Sequence, residues 1–218
     1  ARTAMLRARI AQAGGQTEAA RSILDHAERA ARHAPDPEVA RQVTRHRIAL
    51  AVAQGDLPAA RHWAAVLLEE PGAHGFADDV ALARCALAGG DAAAAAERLR
   101  GAWTAIEAEG TVAERVEALL VAAGADRRLG RHAAAEAGAL RAVALAAPGR
   151  MVRAVADEGE AARELLGALR VPPDQAKFLA AVLAALGATA SSPPLPTPLT
   201  EREVEVLRLL AEGLTNRQ

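Results

Sequence analysis

Apolar residues in this chain recur three and four positions apart, the period of a helix with one buried face. No run alternates apolar and polar residues with the period of two that marks a half-buried strand. The segments between breaks are rich in Ala, Leu, Arg and Glu, which lose little side-chain freedom in a helix. Breaks fall at Gly14-Gly15, Gly55-Asp56, Gly89-Gly90-Asp91 and Gly130-Arg131, each between two apolar periodic segments. A glycine just past a helix end adopts the left-handed cap that other residues resist. The pattern predicts four helical hairpins at 2–34, 37–70, 76–109 and 111–147, with Pro35, Pro71 and Pro148 closing three of the second helices. A last helix is expected over 173–187, started by Pro172-Pro173, with an apolar face of Phe178, Leu179, Val182, Leu183 and Leu186.

Gly15, Gly55, Gly90 and Gly130 stand, by subtraction, 40, 35 and 40 residues apart. Five residues after them come Ala20, Ala60, Ala95 and Ala135, and seven further Ala27, Leu67, Ala102 and Ala142. This spacing lies near the roughly 34-residue tetratricopeptide period, and Gln54-Gly55-Asp56-Leu57 with Ala60 resembles that consensus most closely. The other repeats lack its usual Trp and Tyr. The expected fold is therefore all-α: a tetratricopeptide-like superhelix of hairpins, an α-α solenoid whose core runs along the stack. A non-repeating helical bundle with coincident glycine turns is the alternative, and it too is all-α.

Composition narrows the function. The 218 residues carry a formal charge of −1 and 24% charged residues, so the chain as a whole has no electrostatic footprint for nucleic acid or an anionic membrane. Cys85 is the single cysteine, which excludes an intrachain disulfide and fits a reducing, cytoplasmic setting. No stretch reaches the length and apolarity of a membrane span, and no signal peptide opens the sequence. The start at Ala1 and the end at Gln218 are expected to be those of a fragment.

From Glu107 to Gly167 the chain resembles the last repeat and following segment of MalT-like regulators, the large ATP-binding members of the LuxR family. The residues that carry the likeness are Ala108-Glu109-Gly110, the Leu129-Gly130-Arg131 turn and Asp157-Glu158-Gly159; Met151 stands where an aromatic is usual. Leu199-Thr200-Glu201-Arg202-Glu203-Val204-Glu205-Val206-Leu207, continuing to Leu210-Ala211-Glu212-Gly213-Leu214-Thr215-Asn216-Arg217-Gln218, resembles the opening of the LuxR-type helix-turn-helix domain. Its residue chemistry agrees: Thr200 with Glu203 makes a capping box, Gly213 a C-terminal cap, and Thr215 with Gln218 a second capping box. Between the two parts, Ser191-Ser192-Pro193-Pro194-Leu195-Pro196-Thr197-Pro198 reads as an interdomain linker. The domains expected are thus 1–187 helical repeat, 188–198 linker, and 199–218 the truncated start of a DNA-binding domain.

The resemblance implies a sensor segment of a transcription regulator. Its partners would be an effector small molecule or a regulatory protein, with DNA bound only by the full-length protein, because the recognition helix lies beyond Gln218. No cofactor is expected here, since no GxxxxGK[ST] loop occurs and ATP would belong to an upstream domain. The alternative is a generic tetratricopeptide scaffold for protein partners. Nothing supports an enzyme: His26 and His33 are too far apart for a metal pair, Cys85 reads as a buried inert thiol, and Asp78-Asp79 and Glu69-Glu70 as carboxylates near helix ends or on solvated faces. In tetratricopeptide arrays the first helix of each hairpin lines the inner groove. Counting thirteen, ten, six, three and two residues back from each turn glycine places Arg2, Arg9 and Gln12, Gln42 and Arg45, Arg84, and Glu117, Arg127 and Arg128 on that concave face. Arginine's planar fork suits an anionic ligand or acidic peptide; otherwise these arginines are solvated or paired with neighbouring helices.

Overall fold

The computed structural model describes residues 2–33 and 37–190, all helices and their connections. The DNA-domain caps Thr200, Glu203, Gly213, Thr215 and Gln218, together with Pro35 and the Pro193–Pro198 stretch, lie outside the described residues. Four hairpins follow one another: α1 (Arg2–Ala13) with α2 (Thr17–His33), α3 (Pro37–Ala53) with α4 (Leu57–Glu69), α5 (Phe76–Ala88) with α6 (Ala92–Glu109), and α7 (Val112–Arg128) with α8 (His132–Ala146). Two short helices, α9 (Val152–Ala156) and α10 (Gly159–Leu166), and then α11 (Pro173–Ala190) complete the array. Among the described residues there is no strand, and no helix is long and apolar enough to cross a membrane.

One turn is built four times. Gly15, Gly55, Gly90 and Gly130 all have positive φ, between 71° and 91°. In each turn the next residue's amide donates to a carbonyl five residues back, as Asp56 does to Ala51 and Asp91 to Ala86, while the glycine amide donates three back. This left-handed closure satisfies the last carbonyls of the first helix and reverses the chain. Asp56 and Asp91 then accept from the amides of Ala59 and Ala94, capping the second helix.

The tight reversal brings the paired helices close, and the small-residue column sits where they meet. Ala20, Ala60 and Ala95 are fully buried and Ala135 nearly so, as are Ala27, Leu67, Ala102 and Ala142. Successive clusters share helices: one joins α1 and α2 with Val43 and Leu50 of α3, the next joins α3 and α4 with Ala81 and Leu82 of α5, and a third joins α5, α6 and α7. The core is therefore continuous from hairpin to hairpin, as a solenoid requires. Arg47 of α3 reinforces the first junction, reaching Asp25 and Glu28 on α2 and lying 4.3 Å over the Trp63 ring.

Two features depart from the sequence expectation. Helix α11 runs to Ala190 rather than stopping at 187, because Ala188-Thr189-Ala190 contains no breaker and the prolines begin only at Pro193. Helices α9 and α10 were not expected, since five- and eight-residue elements are too short to show a period. They hold the end of the stack: Val155, Ala156, Ala162 and Leu166 pack with Val116, Leu120 and Val143 on one side and Phe178, Val182 and Leu186 of α11 on the other.

Substituting Ala95→Leu forces three further carbon atoms into the contact between α5 and α6, where Ala95 is fully buried. We expect a loss of about 1–3 kcal/mol in urea unfolding. Ala94→Leu, on the exposed side of the same turn, should change stability little. Equal midpoints for the two variants would show that the hairpin contact is not close-packed.

Candidate ligand-binding groove

Because all four hairpins turn alike, their first helices present equivalent positions to one side. Helices α1, α3, α5 and α7 pack in sequence, and their common face bounds a cavity of about 750 Å³. Arg9, Gln12, Gln42, Arg45, Arg84, Glu117 and Arg128 all line it, on the face the turn count assigned them. Arg127 does not: its guanidinium donates to the Glu164 carbonyl on α10, with the Glu164 carboxylate 3.8 Å away. It sits in the last turn of α7, where α10 packs against that helix and draws the side chain out of line. Nothing is described of the Arg2 side chain.

The arginines share one groove, and they are paired as well. Arg9 donates through Nε and Nη2 to one oxygen of Asp157, at 3.1 and 2.7 Å. Arg84 reaches Glu117 at 2.9 Å and Glu158 at 2.5 Å. Arg45 bridges Glu38 at 2.5 Å and Asp78 at 2.7 Å. Arg128 donates to the Leu87 carbonyl near the end of α5. The charged residues lining the cavity are Arg9, Arg45, Arg84 and Arg128 against Glu114, Glu117, Asp157 and Glu158, so the signs balance. The groove is not a basic patch; any attraction for an anion is local to one guanidinium.

Asp78 lies in the first turn of α5, one of the helix ends where the sequence placed such carboxylates, and it is buried there. Its side chain is 1% exposed and accepts from Arg41 Nη2 at 2.6 Å, from Arg45 Nη1 at 2.7 Å and from the Gly75 amide at 2.9 Å. Burial pushes its carboxyl pKa up, but the Gly75 amide and both guanidinium groups outweigh that and hold it below the ordinary value. Arg41, itself buried, also donates to the Glu70 carbonyl, so one carboxylate ties α3 to the start of α5. Cys85 is buried in the core, and burial raises its thiol pKa, as suits an unreactive thiol.

Among the lining residues not picked out as site residues from the sequence are His46, Asp157 and Glu158. His46 Nδ1 lies 2.8 Å from the Gln42 carbonyl, and because a carbonyl only accepts, that nitrogen carries the proton. Burial, helped by the nearby Arg9 and Arg45 charges, lowers its pKa, so the ring is neutral and Nε2 remains an acceptor. His46 stands four residues after Gln42, on the same face of α3. Asp157 and Glu158 arrive from α9–α10, and their groove partners Arg9 and Arg84 are 148 and 74 residues away in sequence, beyond any local pattern.

Glu158 is the electrostatic focus. Burial and the adjacent Glu117 and Asp157 charges push its pKa up from 4.5 to about 7, against the pull of Arg84. Burial alone works against the Arg84 charge, yet Glu117 and Glu158 together raise its pKa, so it stays cationic throughout. One guanidinium thus serves two carboxylates, and the Glu158 carboxyl is held above its ordinary value.

A family model, that of the MalT-like TPR region, matches residues 1–171, which takes in the four hairpins, α9 and α10 and ends just before α11. The search among curated proteins gives no match.

A pH dependence follows from Glu158. An acid whose folded-state pKa lies above its unfolded value binds more protons when folded, so stability falls as pH rises between the two values. Relative to Glu158→Gln, the natural chain should lose stability from about pH 4.5 to 7 and then run level. Urea midpoints at pH 5, 6, 7 and 8 provide the check; parallel curves for the two proteins would assign the burden to another group.

Proposed function

The chain belongs to the family of MalT-like TPR regions, and we propose that it is the effector-binding segment of a bacterial LuxR-family transcription regulator. The observation that carries this reading is the groove. Its volume of about 750 Å³ falls within the roughly 300–1,000 Å³ typical of small-molecule sites. Its lining alternates apolar surface from Met5, Ala49, Val80 and Leu120 with polar groups on Gln12, Gln42 and His46, the mixture that buries a small ligand and orients it. The corner between α9 and α10 contributes Asp157 and Glu158 to the lining, so the ligand's environment includes a segment outside the four hairpins.

The link to transcription rests on the tail. Residues 199–218 resemble the first part of a LuxR-type helix-turn-helix, and α11, which packs on α9 and α10, leads towards them. On this reading the groove senses, α9–α11 relay, and DNA is bound by a domain completed in the full-length protein. ATP would be handled by a separate segment, and this segment performs no catalysis of its own. In such a regulator an effector acts by binding one of two conformations more tightly than the other.

The competing reading, a scaffold that grips a protein partner, draws on one observation. Leu6 is 58% exposed and also lines the groove, with Ile10 63% exposed one turn further on. A groove blocked from within separates the two. Ala49→Phe places a ring in the cavity without removing an ion pair. A small-molecule library screened by thermal shift should yield compounds that raise the melting temperature of the natural chain and not of Ala49→Phe. In a full-length regulator the same substitution should abolish the transcriptional response to such a compound while leaving helicity by circular dichroism intact. A full response from Ala49→Phe would overturn the effector reading, and a partner protein captured equally by both chains would favour the scaffold.

A further inference from the structure

We propose that the Asp157–Glu158 corner is a built-in occupant of the groove's arginines, and that a carboxylate-bearing small molecule binds by exchanging with it. The proposal rests on the reading of the groove as an effector site and adds the chemical class of the effector and the event that transmits its arrival.

The corner contacts arginines from both ends of the array. Asp157 engages Arg9 on α1 and Arg153 within its own turn; Glu158 engages Arg84 on α5. Both carboxylates, both groove arginines and the cavity share one surface. A carboxylate admitted to the cavity therefore meets one guanidinium already desolvated, Arg84, and one half-exposed, Arg9, each already oriented towards a carboxylate. Exchange substitutes one carboxylate for another, so no buried guanidinium is left without a partner. A neutral molecule has no such route, because lifting the corner takes Asp157 from Arg9 and leaves Arg84 to Glu117 alone, and the molecule brings no charge in return.

The resident group is also an easy one to displace. Arg84 is shared between Glu117 and Glu158, and the repulsion among Glu117, Glu158 and Asp157 already favours a proton on Glu158. The backbone suits a small shift. Helix α9 has five residues and α10 eight, and they join through Gly159, whose φ of 66° makes the corner a sharp reversal rather than continuous helix. Helix α11 rests on Val155 and Leu166 through Phe178, Val182 and Leu186, so movement of the corner is passed to the helix that leads out of the array.

The test uses the whole 218-residue chain, with succinate as the probe and succinamide as its neutral isostere. Removing the occupant's charge with Asp157→Asn and Glu158→Gln together should tighten succinate binding at least tenfold by titration calorimetry. Arg9→Gln, at a side chain 45% exposed and so safe for folding, should weaken it in the natural chain. Hydrogen exchange should rise across 152–166 when succinate is added and stay unchanged with succinamide. Unchanged succinate affinity in the double variant, or unchanged exchange across 152–166, overturns the exchange mechanism. If a neutral compound binds, is blocked by Ala49→Phe and is not displaced by succinate, the groove is an effector site and this inference alone fails. If nothing binds that Ala49→Phe blocks, both readings fail together.

Discussion

The left-handed glycine turn followed five residues later by a buried alanine governs this molecule. The glycine reverses the chain within two residues, and the alanine lets the returning helix lie close against the one it left. Either alone is common. Together and four times over, they close every hairpin with the same turn and the same small contact. Equivalent residues of α1, α3, α5 and α7 must then fall on one side. The groove is therefore a geometric consequence of the turn: an inner face assembled from positions far apart in sequence, with no local signal other than their distance from a glycine.

That dependence explains what the sequence made legible. The hairpin boundaries, the buried alanine column and the inward rows all follow from periodicity and turn chemistry, which act over fewer than twenty residues. Arg9, Arg45 and Arg84 could be placed on a common groove for that reason. Their partners could not. Asp157 lies 148 residues from Arg9, and its approach depends on how many hairpins intervene and how the stack curves. Asp78 reads from its own neighbourhood as an ordinary helix start, which it is, but its burial comes from Arg41 and Arg45 on the preceding hairpin and leaves no local trace. Arg127 misled for the opposite reason: it keeps the correct phase but meets α10, an element too short to foresee.

The charges follow one economy. A chain with a single lysine and many arginines places planar, permanently cationic groups on its inner wall. Leaving them unpaired in a partly enclosed groove is costly, so acids from other elements meet them. At Asp78 the match is generous, with two arginines and an amide on one carboxylate. At Arg84 it is the reverse, with two carboxylates on one guanidinium. The first arrangement locks two hairpins together. The second leaves a carboxylate that prefers a proton, which is a poor lock and a good place for something to change.

The end of the array gives that place its consequence. A stack of hairpins always leaves its last apolar face open, and terminal elements must cover it. Here α9, α10 and α11 do so, burying Val155, Leu166, Val182 and Leu186 against α7 and α8. The same short helices turn Asp157 and Glu158 into the groove. The cap that stabilises the array and the acids that complete its inner wall are thus one segment, and neither can shift without the other. A molecule that altered the pairing at Arg84 would act directly on the packing of the terminal cap. The inner wall of the groove and the surface on which α11 packs are therefore two faces of the same short helices, joined by backbone over a few residues.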